Sequence, residues 1–178
     1  SNIPKEINEY LSRYGIQPKS CHIVTNYKNT NAKKLPMKSD QTILSVLVVT
    51  LENKRNCAFL LDTGSTVSLI EEKIANELKL LGPWLPLTLT WSGNQTRNDY
   101  YSRIIQTTVS NAFNSAQNTT SYFRTVKDLQ ICSQKFIASE FYSEFKSFDK
   151  LKLIDYYEIV GIIGIDNPIF FEQLETVK

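Results

Sequence analysis

The chain of 178 residues contains one histidine, three cysteines and no apolar run long enough to span a membrane. A serine or cysteine peptidase that depends on histidine would have to use His22, which lies in a polar, basic stretch, and zinc hydrolysis lacks its ligands. The cysteines are widely spaced and form no Cys-x-x-Cys pair, so they predict neither a metal site nor a disulfide framework, and we expect reduced intracellular thiols. They are Cys21, Cys57 and Cys132. If the chain is a hydrolase, carboxylates must supply the chemistry.

The composition is ordinary for a soluble globular protein, with 42% hydrophobic and 21% charged residues. The net charge of +2 is unevenly distributed, because residues 1–39 carry seven lysines and arginines against two glutamates, a net charge of +5. This basic arm could contact nucleic acid, but it lacks aromatic residues at stacking spacing, so a solvated linker is the favoured interpretation. The N-terminus shows no charged-then-apolar leader, and we expect no membrane partner.

The local patterns divide the chain into two regions. Residues 1–39 are predicted as a short amphipathic helix, Pro4–Ile16, followed by a polar linker at 17–39. In residues 40–178, short β-rich runs alternate with polar turns. We therefore expect a mostly β fold in this region, a closed and mainly antiparallel barrel with one short helix after Ile70 and another near the C-terminus.

The first two runs of this region, Ile43–Val49 and Cys57–Leu61, predict a hairpin, and Cys57 is predicted to pack in its second strand. A longer hairpin is predicted from Leu85–Trp91 and Tyr101–Val109, with its turn at residues 92–96. The other predicted elements are strands at Val67–Ile70, Tyr122–Ile131 and Ile159–Gly164, a helix at Glu71–Leu80 that ends at Gly82-Pro83, a polar loop at Asn111–Thr120, a short helix within 133–158 and a helical or irregular segment at Asn167–Val177.

The most informative motif is Asp62-Thr63-Gly64-Ser65, which lies between two apolar strands. Glycine permits a close backbone approach, and the two hydroxyl residues can fix the turn by hydrogen bonds. A given four-residue word occurs by chance in a chain of this length about once in a thousand, at ~5–7% for each residue. The same residues also suit an ordinary solvated turn between strands. The strand context favours a carboxylate held for catalysis, as in an aspartic peptidase.

A second glycine extends this motif. The run Val160–Gly164 alone indicates a buried core strand, but together with the Asp62 turn and the hairpin between them it resembles the retropepsins, the peptidases of retroviruses and long-terminal-repeat retrotransposons. Within that group the chain looks like the peptidases of BEL/Pao-type retrotransposons. The similar segments are Leu35-Pro36, Cys57–Ser65, Leu89–Arg97, Arg124–Leu129 and Ile162–Asn167.

The resemblance implies an aspartic endopeptidase that cleaves extended polypeptide, as in the processing of a retroelement polyprotein, with no metal or cofactor. One Asp-Thr-Gly occurs in the chain, so the expected assembly is a two-fold homodimer. Asp62 of each subunit would activate a water, Thr63 would bridge the subunits, Gly64 would meet the substrate backbone, and Ser65 would bond an outer carboxylate oxygen. The implied substrate-binding residues are Ser65, Thr66, Trp91, Ser92, Gly93, Ile163 and Gly164.

The hairpin Leu87–Val109 would be the flap that closes over the substrate and excludes water. Trp91, near its tip, either lines a side-chain pocket or packs in the core. The expected location is the cytoplasm, including virus-like particles within it, and nucleic acid is not an expected partner.

Two departures separate the chain from the better-known retroviral enzymes, which pair an Asp two residues after the Gly with an Arg just after the later Gly. Here the two positions are Thr66 and Ile165, so both charges are missing together and neither is left unpaired. Retroviral peptidases also end in a strand that interleaves with the partner's termini, whereas Asn167–Val177 does not have a strand pattern. A different class of function also fits the sequence, a catalytically silent module for dimerisation or peptide binding.

Overall fold

The computed structural model describes residues 20–23, 45–91, 93–131, 135–144 and 152–172. Its helices are α1 (Glu72–Glu77), α2 (Ala138–Glu144) and a 3-10 helix (Pro168–Phe171). The predicted helix at Pro4–Ile16 lies outside the described residues. The strands are β1 (Ser20–Ile23), β2 (Val46–Leu51), β3 (Arg55–Leu61), β4 (Leu69–Glu71), β5 (Leu87–Trp91), β6 (Gln95–Asp99), β7 (Ile104–Asn111), β8 (Asn114–Val126) and β9 (Ile159–Ile163).

Six strands close into a barrel in the order β2-β3-β9-β4-β8-β7, which confirms the expected mostly β, closed architecture. Strands β2 and β3 form the predicted antiparallel hairpin, with Val46 opposite Leu60 and Leu51 opposite Arg55. The β3–β9 and β4–β8 neighbours are parallel, and the other barrel neighbours are antiparallel. Closure removes the unpaired edges that an open sheet of these strands would expose.

Strand β9 lies between β3 and β4, and all five of its residues are buried. A strand covered on both faces has a continuous apolar sequence rather than an alternating one, which is why Ile159–Ile163 was recognisable as a core strand. Gly161 fits here because a Cβ at this position would collide with the ring of Phe59. The central position of β9 brings its C-terminal end beside the connection from β3 to β4.

The second sheet has the order β1-β5-β6. The predicted hairpin turn is present, since Trp91 pairs with Gln95 across residues 92–94 and both Gly93 and Asn94 have positive φ, 88° and 57°. The predicted second strand is wrong: β5 pairs with β6, whereas β7 pairs with β2 and β8 in the barrel. The tight turn fixes the register of the hairpin, so its second strand begins immediately after the turn.

Two segments predicted to lack regular structure contain strands. Ser20–Ile23, within the predicted linker, forms β1 and pairs parallel to β5, with Ile23 opposite Trp91. The predicted polar loop at Asn111–Thr120 is instead the turn and paired ends of β7 and β8, with Asn111 opposite Asn114. Most side chains at this end of β8 are exposed, so no apolar alternation distinguishes the strand from a loop.

The predicted helix after Ile70 is present as α1, with Ile74 and Ala75 buried. It ends before the predicted Gly82-Pro83 stop. Lys79 adopts a positive φ of 57°, and Leu80 N–H donates to the Ala75 carbonyl at 2.8 Å. This left-handed C-terminal cap satisfies carbonyls that the last turn would otherwise leave unpaired.

Helix α2 lies within the region predicted to hold a short helix. The segment after Asn167 begins with the 3-10 helix Pro168–Phe171, in agreement with the predicted helical or irregular structure. Phe170 and Phe171 pack against the larger core cluster. Across the described residues, no helix combines the length and the apolar character needed to cross a membrane.

Candidate active site

The Asp62 turn begins where β3 ends, and its backbone is bonded to the neighbouring strand. Asp62 N–H donates to the Ile163 carbonyl at 3.0 Å, so the end of β9 fixes the start of the turn. Ser65 N–H donates to the Asp62 carbonyl at 3.1 Å and closes the turn. Gly64 N–H donates to Oδ1 of Asp62 at 2.9 Å, which orients a half-buried carboxylate. The turn therefore presents one carboxylate in a defined direction.

The other residues of the turn differ in exposure. Thr63 and Thr66 are exposed, and Gly64 is half-buried. Ser65 is fully buried, and its hydroxyl donates to the Val67 carbonyl at 2.8 Å. Thr63 and Thr66 therefore offer hydroxyl groups to a partner or ligand, whereas the Ser65 side chain braces the turn from within.

Gly164 brings the backbone after β9 against this turn. A Cβ at Gly164 would lie 2.7 Å from the Ser65 carbonyl oxygen and 3.0 Å from that of Val67. Ile165 N–H donates to the Ser65 carbonyl at 2.9 Å, which fastens the two segments. The Ile163 side chain is fully buried in the core, so only its backbone takes part in the site. A glycine is required at 164 because two backbones approach too closely for a side chain.

A side-chain network behind the turn was missed by sequence reasoning. Ser68 Oγ donates to Oδ1 of Asp166 at 2.6 Å and accepts from Gly164 N–H at 3.0 Å and from Asn167 Nδ2 at 2.8 Å. Ser68 N–H donates to Oδ2 of Asp166 at 3.0 Å, so the carboxylate accepts from both the backbone N–H and the hydroxyl of this serine. The only signal in the sequence was the Asp-Asn pair directly after Ile165.

The network lies close in the chain to Thr66 and Ile165, the two positions where the sequence lacks the charged pair of the retroviral enzymes. Thr66 and Ile165 are both exposed, and neither carries a charge. The segments that carry them are held together by the Ser65–Ile165 backbone bond and by the Ser68–Asp166 pair. The Asp62 turn and the segment after β9 are thus joined by a hydrogen bond between backbone groups and by hydrogen bonds from a serine to a carboxylate.

The hairpin residues of the predicted site lie in the other sheet. Trp91 ends β5, and Gly93 is exposed in the turn with no atom near the position of a Cβ. Ser92 and the Trp91 side chain lie outside the described part, so the choice between a pocket and a core position for Trp91 stays open. The structure brings Asp62–Thr66 together with Ile163 and Gly164, and it carries Trp91 and Gly93 on a separate hairpin.

Two grooves on the barrel are lined by residues outside the predicted site. One, of about 470 Å³, lies between β2, the β7–β8 turn and the 3-10 helix and includes Leu47, Phe113 and Ile169. Another, of about 330 Å³, includes Val46, Phe136 and Lys152. Neither is lined by the Asp62 turn or by the β5–β6 hairpin. No group of three or more His, Cys, Asp and Glu side chains within the described residues could hold a metal ion.

Burial and hydrogen bonds shift the pKa of side chains on β3, on α1 and in the turn between β2 and β3. Burial raises the pKa of the Cys57 thiol to about 11, in keeping with the prediction that this residue packs in a strand. Hydrogen bonds from Lys73 to Glu71 and Glu158 raise the pKa of the lysine. The Thr108 N–H and the Thr107 hydroxyl lower the pKa of Glu52.

Comparison of the chain with models of protein families, with curated proteins and with solved structures gave no match.

Proposed function

We propose that this chain is one subunit of an aspartic endopeptidase of the BEL/Pao retropepsin kind, which cleaves extended polypeptide such as a retroelement polyprotein. The observation that carries the proposal is the Asp62 turn. Its half-buried carboxylate accepts the Gly64 N–H at 2.9 Å, and the turn packs on Gly164 beside the central strand β9. A solvated turn between strands needs neither the buried serines behind it nor a glycine packed against its backbone.

In the proposed mechanism two copies of the chain each contribute Asp62 to one dyad. Carboxyl groups about 3 Å apart cannot both ionise, so the pair shares one proton. The ionised group accepts a proton from water as the water attacks the peptide carbonyl, and the protonated group donates to the carbonyl oxygen. Apparent pKa values of such a dyad belong to the pair rather than to either residue.

The exposure of the turn supports a site completed by a second copy. Thr63 is exposed next to the half-buried Asp62, so both are available to a symmetry-related turn. An isologous interface brings the same residue of each copy to the two-fold axis.

The β5–β6 hairpin is the proposed flap, with its turn at residues 92–94. It belongs to the three-stranded sheet β1-β5-β6, and its turn lies beyond the buried Leu87 and Leu89, so the turn end is the part that can close over an extended peptide. Trp91, Ser92 and Gly93, at or next to the turn, are the proposed flap contacts to substrate.

The test is Asp62→Asn in a cleavage assay with an unstructured polypeptide at acidic pH. Asparagine keeps the oxygen that accepts the Gly64 N–H, so the fold should persist, but it removes the ionisable group, so cleavage should fall to background. Thr50→Ala, on the β2 strand, serves as a folded control with expected wild-type activity. Turnover of Asp62→Asn above background would refute the dyad.

One observation favours a second candidate, a module that binds peptide strands without cleaving them. Among the described residues, β1 and β6 are the edges of the sheet β1-β5-β6, and an extended peptide can add as a strand to such an edge. A folded wild-type chain that binds extended peptide but shows no pepstatin-sensitive cleavage at acidic pH would support this module over the peptidase.

A further inference from the structure

The β5–β6 hairpin leaves the barrel through two short connections that are bonded to each other at their base. Leu85 lies two residues before β5, and Ser102 lies between β6 and β7. Leu85 N–H donates to the Ser102 carbonyl at 2.8 Å, and Ser102 N–H donates to the Asp99 carbonyl at 3.3 Å. The base of the hairpin is therefore bonded where these two connections meet the barrel, and Leu87 and Leu89 of β5 also belong to a buried cluster that includes barrel residues.

One side chain from the barrel contacts both connections. The Arg124 guanidinium, on β8, donates through Nη2 to the Leu85 carbonyl and through Nε to Ser102 Oγ at 3.3 Å. Arg124 is only 7% exposed, and its planar guanidinium presents several donors in fixed directions. A buried cation bonded to both connections restrains their separation and their orientation together.

The backbone of the same residue bonds to the segment that supports the Asp62 turn. Arg124 N–H donates to the Ser68 carbonyl at 2.9 Å, and Arg124 lies opposite Leu69 in the β4–β8 pair. Ser68 is the serine whose hydroxyl binds Gly164 N–H and Asp166 behind the turn. Arg124 thus links the base of the hairpin to the support of the turn through one residue.

A second arginine, Arg103, bonds to the chain between α1 and β5. Arg103 donates through Nη1 to the Leu80 carbonyl at 3.0 Å and through Nη2 to Asn76 at 2.6 Å, and its guanidinium carbon lies 5.6 Å from the centre of the Trp84 ring. Arg103 N–H donates to Thr125 Oγ1 at 2.8 Å, and Thr125 N–H donates to the Arg103 carbonyl at 2.9 Å. The approach to β5 and the departure from β6 are both fastened to the same end of β8.

We propose that Arg124 is a positioning residue that fixes the β5–β6 hairpin relative to the Asp62 turn. The consequence for catalysis rests on the proposed peptidase function. A hairpin held at its base meets an extended peptide in a defined place, whereas a loosened hairpin must be ordered when the peptide binds. Loss of the restraint should therefore weaken substrate binding more than it slows the bond-breaking step.

The first test measures amide hydrogen exchange in the folded full chain. In Arg124→Met, which keeps an unbranched apolar stem in place of the arginine but removes its donors, amides of β5 and β6 should exchange about tenfold faster while those of β2 and β3 keep their wild-type rates. Arg124→Lys, which keeps the charge and part of the bonding, should give a smaller increase. Arg55→Met is the matched control, because Arg55 bonds to Glu77 and Glu158 instead of to the hairpin.

The proposal is wrong if the hairpin amides of a folded Arg124→Met variant exchange at the wild-type rate. It is also wrong if exchange accelerates equally in the hairpin and in β2–β3. If Arg124→Met does not fold, Ser102→Ala replaces it. This variant removes one acceptor of the guanidinium, and it should accelerate exchange in β5 and β6 alone. Unchanged exchange in Ser102→Ala would then count against the proposal.

The second test separates this proposal from the peptidase proposal. In a cleavage assay Arg124→Met should raise KM about five- to tenfold and change kcat less than about twofold, whereas Arg55→Met should change neither. If the wild-type chain cleaves no peptide, the peptidase proposal fails, and hydrogen exchange still decides the role of Arg124. A variant that lowers kcat at unchanged KM would contradict the proposed role.

Discussion

At the scale of single residues, carboxylates orient two turns of the barrel by accepting backbone N–H groups. Oδ1 of Asp62 accepts from Gly64, and Oε1 of Glu52 accepts from Thr108 N–H and from Thr107 Oγ1, each at 2.8 Å. Glu52 adopts a positive φ of 51°, and its own N–H donates to the Thr108 carbonyl at 2.9 Å. The turn between β2 and β3 is thus tied to β7 by both backbone and side chain.

The Glu52 contacts predict a pH-dependent contribution to stability. Hydrogen bonds to the ionised form lower the pKa of Glu52 below its ordinary value of 4.5, so the folded state favours the carboxylate. A lowered folded pKa gives stability that is present above the unfolded pKa and is lost as the pH falls through the folded pKa. We expect Glu52→Gln to lower the free energy of unfolding at pH 7, and to lower it less at pH 3.

Urea unfolding at both pH values measures this difference. Glu140→Gln, a substitution on the exposed surface of α2, is the control and should change stability little at either pH. The prediction is wrong if the Glu52→Gln difference stays constant between pH 7 and pH 3, or grows as the pH falls.

At the scale of elements, the site depends on where β9 lies. This strand pairs with both β3 and β4, so the chain between β3 and β4 must pass over the end of β9. That path places Asp62, the turn and Ser68 around Gly164. The position of one buried strand therefore decides the geometry of the carboxylate.

Gly164→Ala tests this packing. A Cβ would lie 2.7 Å from the Ser65 carbonyl oxygen, and backbone at that distance has to move. We expect a loss of stability of about 1–3 kcal/mol and loss of cleavage, because overpacking displaces the turn. Thermal and urea unfolding with a parallel cleavage assay measure the effect, and Thr66→Ala on the exposed side of the same turn should keep near wild-type stability. Wild-type stability of Gly164→Ala would show that the two segments do not pack as described.

The local parts of these elements were predictable from the sequence, and their pairing was not. The run Ile159–Gly164 and the Asp62 turn were identified because apolar continuity and turn residues are properties of neighbouring residues. The second strand of the hairpin and the exposed ribbon at Asn111–Thr120 were predicted wrongly, since register and ribbon extension depend on a distant partner. The roles of Ser68, Asp166 and Arg124 were missed for the same reason.

At the scale of the whole molecule, the described chain presents one Asp62 turn on one barrel, and the proposed chemistry needs two. We expect the rate of cleavage per chain to rise with protein concentration and then level off as the dimer saturates. Sedimentation measured over the same concentrations should show dimer wherever the rate is high. Full specific activity in a sample that sediments only as monomer would rule out a shared dyad.

An excess of Asp62→Asn chains provides a further check on the same assembly. Mixed dimers would carry one aspartate and one asparagine, so added variant should inhibit wild-type activity as the chains exchange. An equal excess of Arg55→Met, which keeps Asp62, should not inhibit. Unchanged activity in the presence of exchanged variant chains would contradict a site built from two subunits.

Several features were determined by the sequence itself, because each depends on the spacing of apolar and turn residues within a short segment. They are the mostly β class, the β2–β3 hairpin, the helix after Ile70, the buried strand Ile159–Ile163 and the turn that carries Asp62. Only the tertiary structure decided that β9 lies between β3 and β4, that β6 completes the hairpin, and that Ser68 and Arg124 connect the hairpin base to the turn. These features depend on hydrogen bonds and close backbone contacts between residues far apart in the chain. Such pairings are set by the closure of the whole barrel.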